Sequence, residues 1–196
     1  MLEGNKGLWI MPGILVIIMI LGGIYYVNDS DQVSNEELIE HIELHADLQE
    51  TDDDTYVLEV EWDWTITPLE GLFGDDYLGI VFYDENDQII TDVDIDQATL
   101  HLYYLDEVIE TNQAEHADNG LIFSFSNKLD EHISYGNIGK AQILVESEHI
   151  EYATVHLLHT WMNHAPLISK DATFSKVEFD GASGIPYWVK KKSSND

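Results

Sequence analysis

The sequence contains no cysteine. That absence excludes disulfides, thiolate nucleophiles, zinc–thiolate sites and a lipid anchor on a processed cysteine. For a domain outside a cell it points to a bacterial rather than a eukaryotic secretory setting. Arginine is missing as well: all 8 basic residues are lysines, and none lies between Gly7 and Asn127. Against them stand 38 Asp and Glu, a formal net charge of -30. Such a surface repels nucleic acid and anionic lipid, which argues against DNA or RNA as a partner. No G-x-S-x-G elbow exposes a serine, since Ser183 lies in GASGIP without a strand-turn-helix frame. No Gly-rich loop cradles a phosphate, and paired carboxylates carry no information where acids are so many. Accordingly no catalytic residue and no cofactor-binding residue is assigned. Internal repeats and long amphipathic helices are also missing.

What is present begins with Leu8 to Val27, LWIMPGILVIIMILGGIYYV. This is an uncharged run of the length that crosses a hydrocarbon core, ~20 residues. Trp9 and Tyr25-Tyr26 stand near its ends, where amphipathic aromatics favour the interface. A cleaved signal peptide is the competing reading, but the run is long, only Lys6 marks a basic flank, and no A-x-A-like site comes after it. The sequence therefore predicts a retained single-pass anchor at residues 8–27. Lys6, set against Asp29, Asp31, Glu36 and Glu37, puts residues 1–7 inside and the remainder outside. Residues 28–37 read as a polar linker, 38–180 as one extracytoplasmic domain, and 181–196 as a flexible tail. Ser34 and Glu37 have the spacing of a capping box, which offers a rival helix over residues 35–49.

Strict alternation speaks against that helix from His41 onward. Ile42, Leu44, Ala46 and Leu48 alternate with polar residues, and so do Tyr56, Leu58, Val60, Trp62, Trp64 and Ile66. Period two means strand, and the two runs predict a hairpin closed by a loop at Glu50 to Asp54. Further strands are expected at residues 76–83, 88–93, 98–104, 121–125, 141–145 and 153–161, with an optional edge strand at Phe174 to Phe179. Thr111 to Asn119 reads as a polar connection, and Lys128 to Gly139 as loop. Short strands separated by turn chemistry predict an all-β domain. The expected fold is an antiparallel β-sandwich, immunoglobulin-like in general architecture, following one N-terminal transmembrane helix.

The polar face of the opening hairpin is the main candidate site. With Gln49 paired to Thr55, the register places His45 opposite Glu59, Glu43 opposite Glu61, and His41 opposite Asp63. Two facing carboxylates repel and call for a counter-charge. A divalent cation held by His45, Glu43, Glu59 and Glu61 would supply one, since imidazole with carboxylates suits zinc, copper or manganese. The competing reading is a solvated strand face in an acidic protein. Asp92, Asp94 and Asp96 begin like a calcium loop, but Gln97 stands where that loop needs Gly and Tyr103 where it needs Glu. Strand parity turns His156 outward and His159 inward, so they do not chelate together, and His159 reads as a core residue with a hydrogen-bond partner. Trp62 and Trp64 read as core. Lys190-Lys-Lys192 reads as part of a disordered tail that keeps the end soluble, with contact to an anionic outer leaflet or wall polymer, or docking onto the acidic sheet, as the alternatives.

These features predict a membrane-anchored binding or assembly module of a bacterial envelope, non-catalytic, with an envelope protein or polymer as partner. A divalent-metal-binding envelope protein is the alternative.

Overall fold

The computed structural model describes residues 6–28, 33–52, 54–64 and 66–196, and the chain divides into two compact units, residues 1–32 and 33–196. The first unit holds one helix, α1 (Lys6–Asn28), interrupted chemically by Pro12. Side chains are described for residues 11–23 of α1; these are apolar or glycine and proline throughout, and all are exposed. Among the described residues no helix is long and apolar enough to cross a membrane. The stretch 11–23 is by itself shorter than the ~20 residues a bilayer requires.

The second unit is built from antiparallel strands. In chain order they are β1 (Glu43–Asp52), β2 (Thr55–Asp63), β3 (Asp75–Tyr83), β4 (Ile89–Ile90), β5 (Asp94–Tyr104), β6 (Glu107–Gln113) and β7 (Glu115–Ala117). Next come β8 (Gly120–Ser126), β9 (Leu129–Asp130), β10 (Ile133–Ser134), β11 (Ile138–Glu146), β12 (Tyr152–Thr160) and β13 (Tyr187–Ser193). One sheet has the order β1-β2-β11-β5-β6. The other has the order β13-β12-β3-β8-β7, with β4 added beside β3, while β9 and β10 form a separate small ribbon. The period-two pattern explains the stacking: each strand turns one apolar row inward. Leu58, Val60 and Trp62 from the first sheet meet Leu78, Ile80, Phe82, Phe123 and Leu157 from the second in one core. The fold is thus the expected antiparallel β-sandwich.

The hairpin differs from the expected one in its turn. Asp52 pairs with Thr55, so residues 53 and 54 alone connect β1 to β2, and Asp54 adopts the left-handed conformation at φ 66° that a tight turn demands. The strands run further than their acidic ends suggest. The pairing is irregular between Glu50 and Asp52, and from Glu50 back to Glu43 the register differs from the expected one by two residues, which keeps every side chain on its expected face and changes every partner. Glu43 faces Asp63, His45 faces Glu61, and Asp47 faces Glu59. The register expected from a longer loop is corrected accordingly.

Both flanks of the domain are more ordered than their composition suggests. Val33, Asn35, Leu38 and Ile42 are buried, so the stretch expected as linker joins the domain from residue 33. Residues 29–32 lie outside the described ones. Ser34 and Glu37 do exchange capping hydrogen bonds, but they lead into no more than a single 3-10 turn at Leu38–Glu40 before the chain enters β1. The expected tail supplies β13, paired with β12 from Thr154↔Ser193 to Thr160↔Tyr187. The edge strand expected at 174–179 is not formed. That region belongs instead to an excursion between β12 and β13 that lies over the outer face of the β13-β12-β3-β8-β7 sheet. Phe174 and Phe179 pack there with Tyr77 and Leu158 in a second small core. Gly79 makes this contact possible, because a Cβ on it would meet the Ala172 carbonyl oxygen at 1.9 Å.

Candidate functional site

The two outer faces of the sandwich are therefore unlike. The excursion covers one. Among the described residues nothing covers the other, the outer face of the β1-β2-β11-β5-β6 sheet, whose rows stay exposed or half-buried. Pairing across four interfaces lines up His45, Glu61, Lys140, His101 and Thr111 in a single cross-strand row. Next to it run Asp47, Glu59, Gln142, Thr99 and Gln113.

The side chains of these rows hold one another in place. Lys140 Nζ donates to Glu61 at 2.8 Å and reaches Glu59 at 3.5 Å. Gln142 donates to Glu59 at 3.1 Å, Gln113 donates to the Thr99 hydroxyl at 3.2 Å, and His101 Nδ1 shares a 2.9 Å hydrogen bond with Thr111 Oγ1. The carboxylates around Lys140 stabilise its charged form and raise its pKa, the hydrogen bond to Glu61 first among the causes. At one end of the rows a groove of about 470 Å³ opens between Glu43, His45, Glu61, Asp63, Tyr103 and Lys140.

Three of the four residues proposed as metal ligands, Glu43, His45 and Glu61, border this groove, and Glu59 sits one row further along. Lys140, from a strand far away in sequence, stands at the carboxylates where the cation was expected. Among the described residues no group of three or more His, Asp and Glu is placed to hold a metal ion. The sequence does mark Lys140 as outward-facing, through its alternation with Gly139 and Ala141. It gives no sign that β11 lies beside β2, and so none that Lys140 meets Glu61. Tyr103 and the His101–Thr111 pair escape sequence reading for the same reason.

A second polar centre is buried. His159 and Asp76 are fully enclosed, with Nδ1 and Oδ2 2.8 Å apart. Asp76 Oδ1 also accepts from the Thr160 amide at 2.9 Å and from Asn127 Nδ2 at 3.1 Å. On the other side of the ring, Nε2 lies 3.0 Å from Asn35 Oδ1. The Asn35 amide nitrogen donates to Glu70 and to the Gly71 carbonyl, which fixes Oδ1 as an acceptor. Each ring nitrogen of His159 thus has a side-chain oxygen within hydrogen-bond distance. Trp188 stacks on the ring at 4.7 Å between centroids and donates from Nε1 to the Asn35 carbonyl. Asn35, Asp76, Asn127 and His159 are all buried, and the chemistry of the cluster is that of a clasp holding residues 33–42 against β12 and β13.

The remaining candidates are dispersed. His156 bonds Thr154 under the excursion, and burial, with Lys191 next, pushes its pKa down to about 4. His164 bonds Thr160 and the Ala165 carbonyl. Asp94 opens β5 opposite Glu146, in a groove of about 710 Å³ whose walls also include Asp84, Asp92 and Glu148.

The fold and surface define an antiparallel β-sandwich with one covered and one bare sheet face. No protein-family model matches the chain, and no curated protein matches it. Among solved structures, the collagen-binding domain from a Staphylococcus aureus adhesin aligns at a TM-score of 0.38 and 6% identity, over 78% of this chain and 95% of that one. AvmM, which catalyzes macrocyclization in alchivemycin A biosynthesis, aligns at 0.33 and 13% identity, over 76% and 86%. A pore forming protein aligns at 0.30 and 10% identity, over 78% and 89%. Likenesses at these scores carry no argument about what this chain does.

Proposed function

We propose that this chain is a single-pass membrane protein whose β-sandwich stands outside the cell membrane as a non-catalytic binding or assembly module. The observation that carries the reading is the contrast between the two sheet faces. A chain that spends residues 161–186 covering one face leaves the other as an ordered, flat polar surface with a groove at one end. Such a surface suits recognition of an envelope protein or polymer. Lys140, Glu61, Glu59 and Gln142 on it are tied to one another by hydrogen bonds and an ion pair. The anchor is supported by the sequence of residues 8–27 and by the exposure of every side chain at 11–23, since a helix apolar on all sides needs a core or a bilayer around it.

The test is topological. Full-length protein with a C-terminal tag should sediment with bacterial membranes, resist carbonate extraction, and lose its tag to protease added outside intact cells or spheroplasts. Release by carbonate, or a tag protected until the membrane is broken, would sink the reading. A divalent ion at His45, Glu43, Glu59 and Glu61 is the second reading, and it requires displacement of the Lys140 ammonium from Glu61.

A further inference from the structure

The sandwich has two chemically different ends. The proximal end is the one at which Val33 brings the chain into the domain. β1 starts there and β2 ends there, β11 starts beside Asp63, and β12 and β13 meet there at Thr160 and Tyr187. The loop before β3 is tied to this end by the Leu69 amide, which donates to the Val33 carbonyl at 3.0 Å. Asn127, which leads into β9, is tied to it by its amide's bond to the Gly74 carbonyl.

Exposed apolar side chains collect at the proximal end. Leu69 is 60% exposed, Phe73 49%, Leu105 76%, Leu129 54% and Met162 49%; Leu129 sits in the short β9-β10 ribbon and the others in loops or turns at that end. Leu105 is driven outward by a tight turn at φ 55°. Tyr187, 43% exposed at the start of β13, lies at this end too; among the other exposed large apolar residues described in the domain, Val108 lies within β6, and Ile89 and Ile168 lie elsewhere. The distal end offers fewer exposed apolar side chains, and Asp84, Glu85, Asp92, Asp94, Glu146 and Glu148 border two grooves there. Loops that need only connect strands are polar as a rule, so an end whose loops each offer an apolar side chain marks a contact surface.

We propose that the proximal end rests on the membrane from which the chain emerges, with Phe73, Leu69, Leu105, Leu129 and Met162 in the interfacial layer of the bilayer. This rests on the reading of residues 8–27 as an anchor. In the sequence, residues 29–32 alone separate α1 from Val33, so an anchor at residues 8–27 would tether the Val33 end of the domain to the bilayer by a connection of at most roughly 3.6 Å per residue. Glu43, Asp63, Glu70, Asp106, Glu107, Asp130 and Glu131 are exposed at this end as well, which suits a zwitterionic surface better than an anionic one.

The cysteine-free sequence makes the test direct. Single substitutions Phe73→Cys, Leu105→Cys and Leu129→Cys, with Asp87→Cys and Glu148→Cys as distal controls and Ile17→Cys as the anchor control, are spin-labelled in the full chain and placed in phosphatidylcholine nanodiscs. Collision with a water-soluble nickel chelate should be severalfold lower at the three proximal sites than at the distal ones, and collision with oxygen higher. Proximal labels as accessible to the chelate as distal ones, with the Ile17 label shielded, overturn the contact and leave the anchor standing. An Ile17 label open to the chelate overturns both. Spin–spin broadening confined to the proximal labels would assign that end to a second copy and overturns the membrane contact.

Discussion

At the scale of single residues, the buried Asp76–His159 pair is where one substitution has the largest effect. Neither group has water to fall back on, and each satisfies the other. His159→Ala would leave the Asp76 carboxylate in the core with its remaining donors alone, at a cost of ~3–5 kcal/mol typical of an orphaned buried charge. Asp76→Asn should cost clearly less, because an amide at that position donates to a neutral imidazole whose Nε2–H still serves Asn35. Urea midpoints at neutral pH would rank the two; equal losses would mean that the pair is not what holds the cluster. His156 makes a separate, pH-dependent contribution. Burial lowers its pKa from 6.5 to about 4, so the folded state prefers the neutral ring. A group lowered on folding stabilises in full above its unfolded pKa and less as pH falls, here through the window from 6.5 to about 4. The melting temperature should therefore decline from pH 6.5 toward 5, and His156→Gln should flatten that decline without altering the trend at higher pH.

At the scale of elements, the excursion over residues 161–186 depends on a missing side chain. Gly79 lies in the middle of β3, and a Cβ there would overlap the Ala172 carbonyl. Gly79→Val should leave the sandwich folded, since valine favours strands, while lifting the covering segment off the sheet. Hydrogen exchange reads the difference: amides near Ala172 and Phe174 lose protection, whereas those of β2 and β11 keep it. Loss of protection in both sheets together would mean that the excursion is part of the cooperative core. Asp171 reinforces the segment by accepting from Asn119, Thr173 and Ser175, and these hydrogen bonds keep its carboxyl well below the usual range despite burial acting against them. Elements whose inner rows are strongly apolar, such as β2, β3, β8, β11 and β12, are legible in the sequence for the same reason that they are buried. β6 (EVIETNQ) and β13 (YWVKKKS) are not, because neither sequence carries a clean apolar–polar alternation.

For the whole molecule, a formal charge of -30 means self-repulsion that mobile ions relieve. Thermal stability should rise gradually with sodium chloride through the molar range. Divalent ions at micromolar concentration should add nothing beyond their ionic strength while Lys140 occupies the carboxylate pair. A saturable shift with zinc or manganese that His45→Ala abolishes would reinstate the ion site. Lys140→Ala alone should alter stability by no more than ~1 kcal/mol, as expected of an ion pair this exposed.

The sequence by itself determined the strand class, the faces and the parity: which of Glu43, His45, Glu59 and Glu61 point outward can be read from alternation alone, and so can the inward turn of His159. These are local properties of an extended chain, repeated every second residue. Which residues meet was decided only by the tertiary structure. A two-residue shift in one turn exchanged Glu43's partner from Glu61 to Asp63. A strand 79 residues further on delivered the lysine that neutralises Glu61. A polar segment and a lysine-rich end, unremarkable as sequence, became a buried clasp and a paired strand. Their energy comes from neighbours distant in the chain, and alternation within a strand carries no record of those.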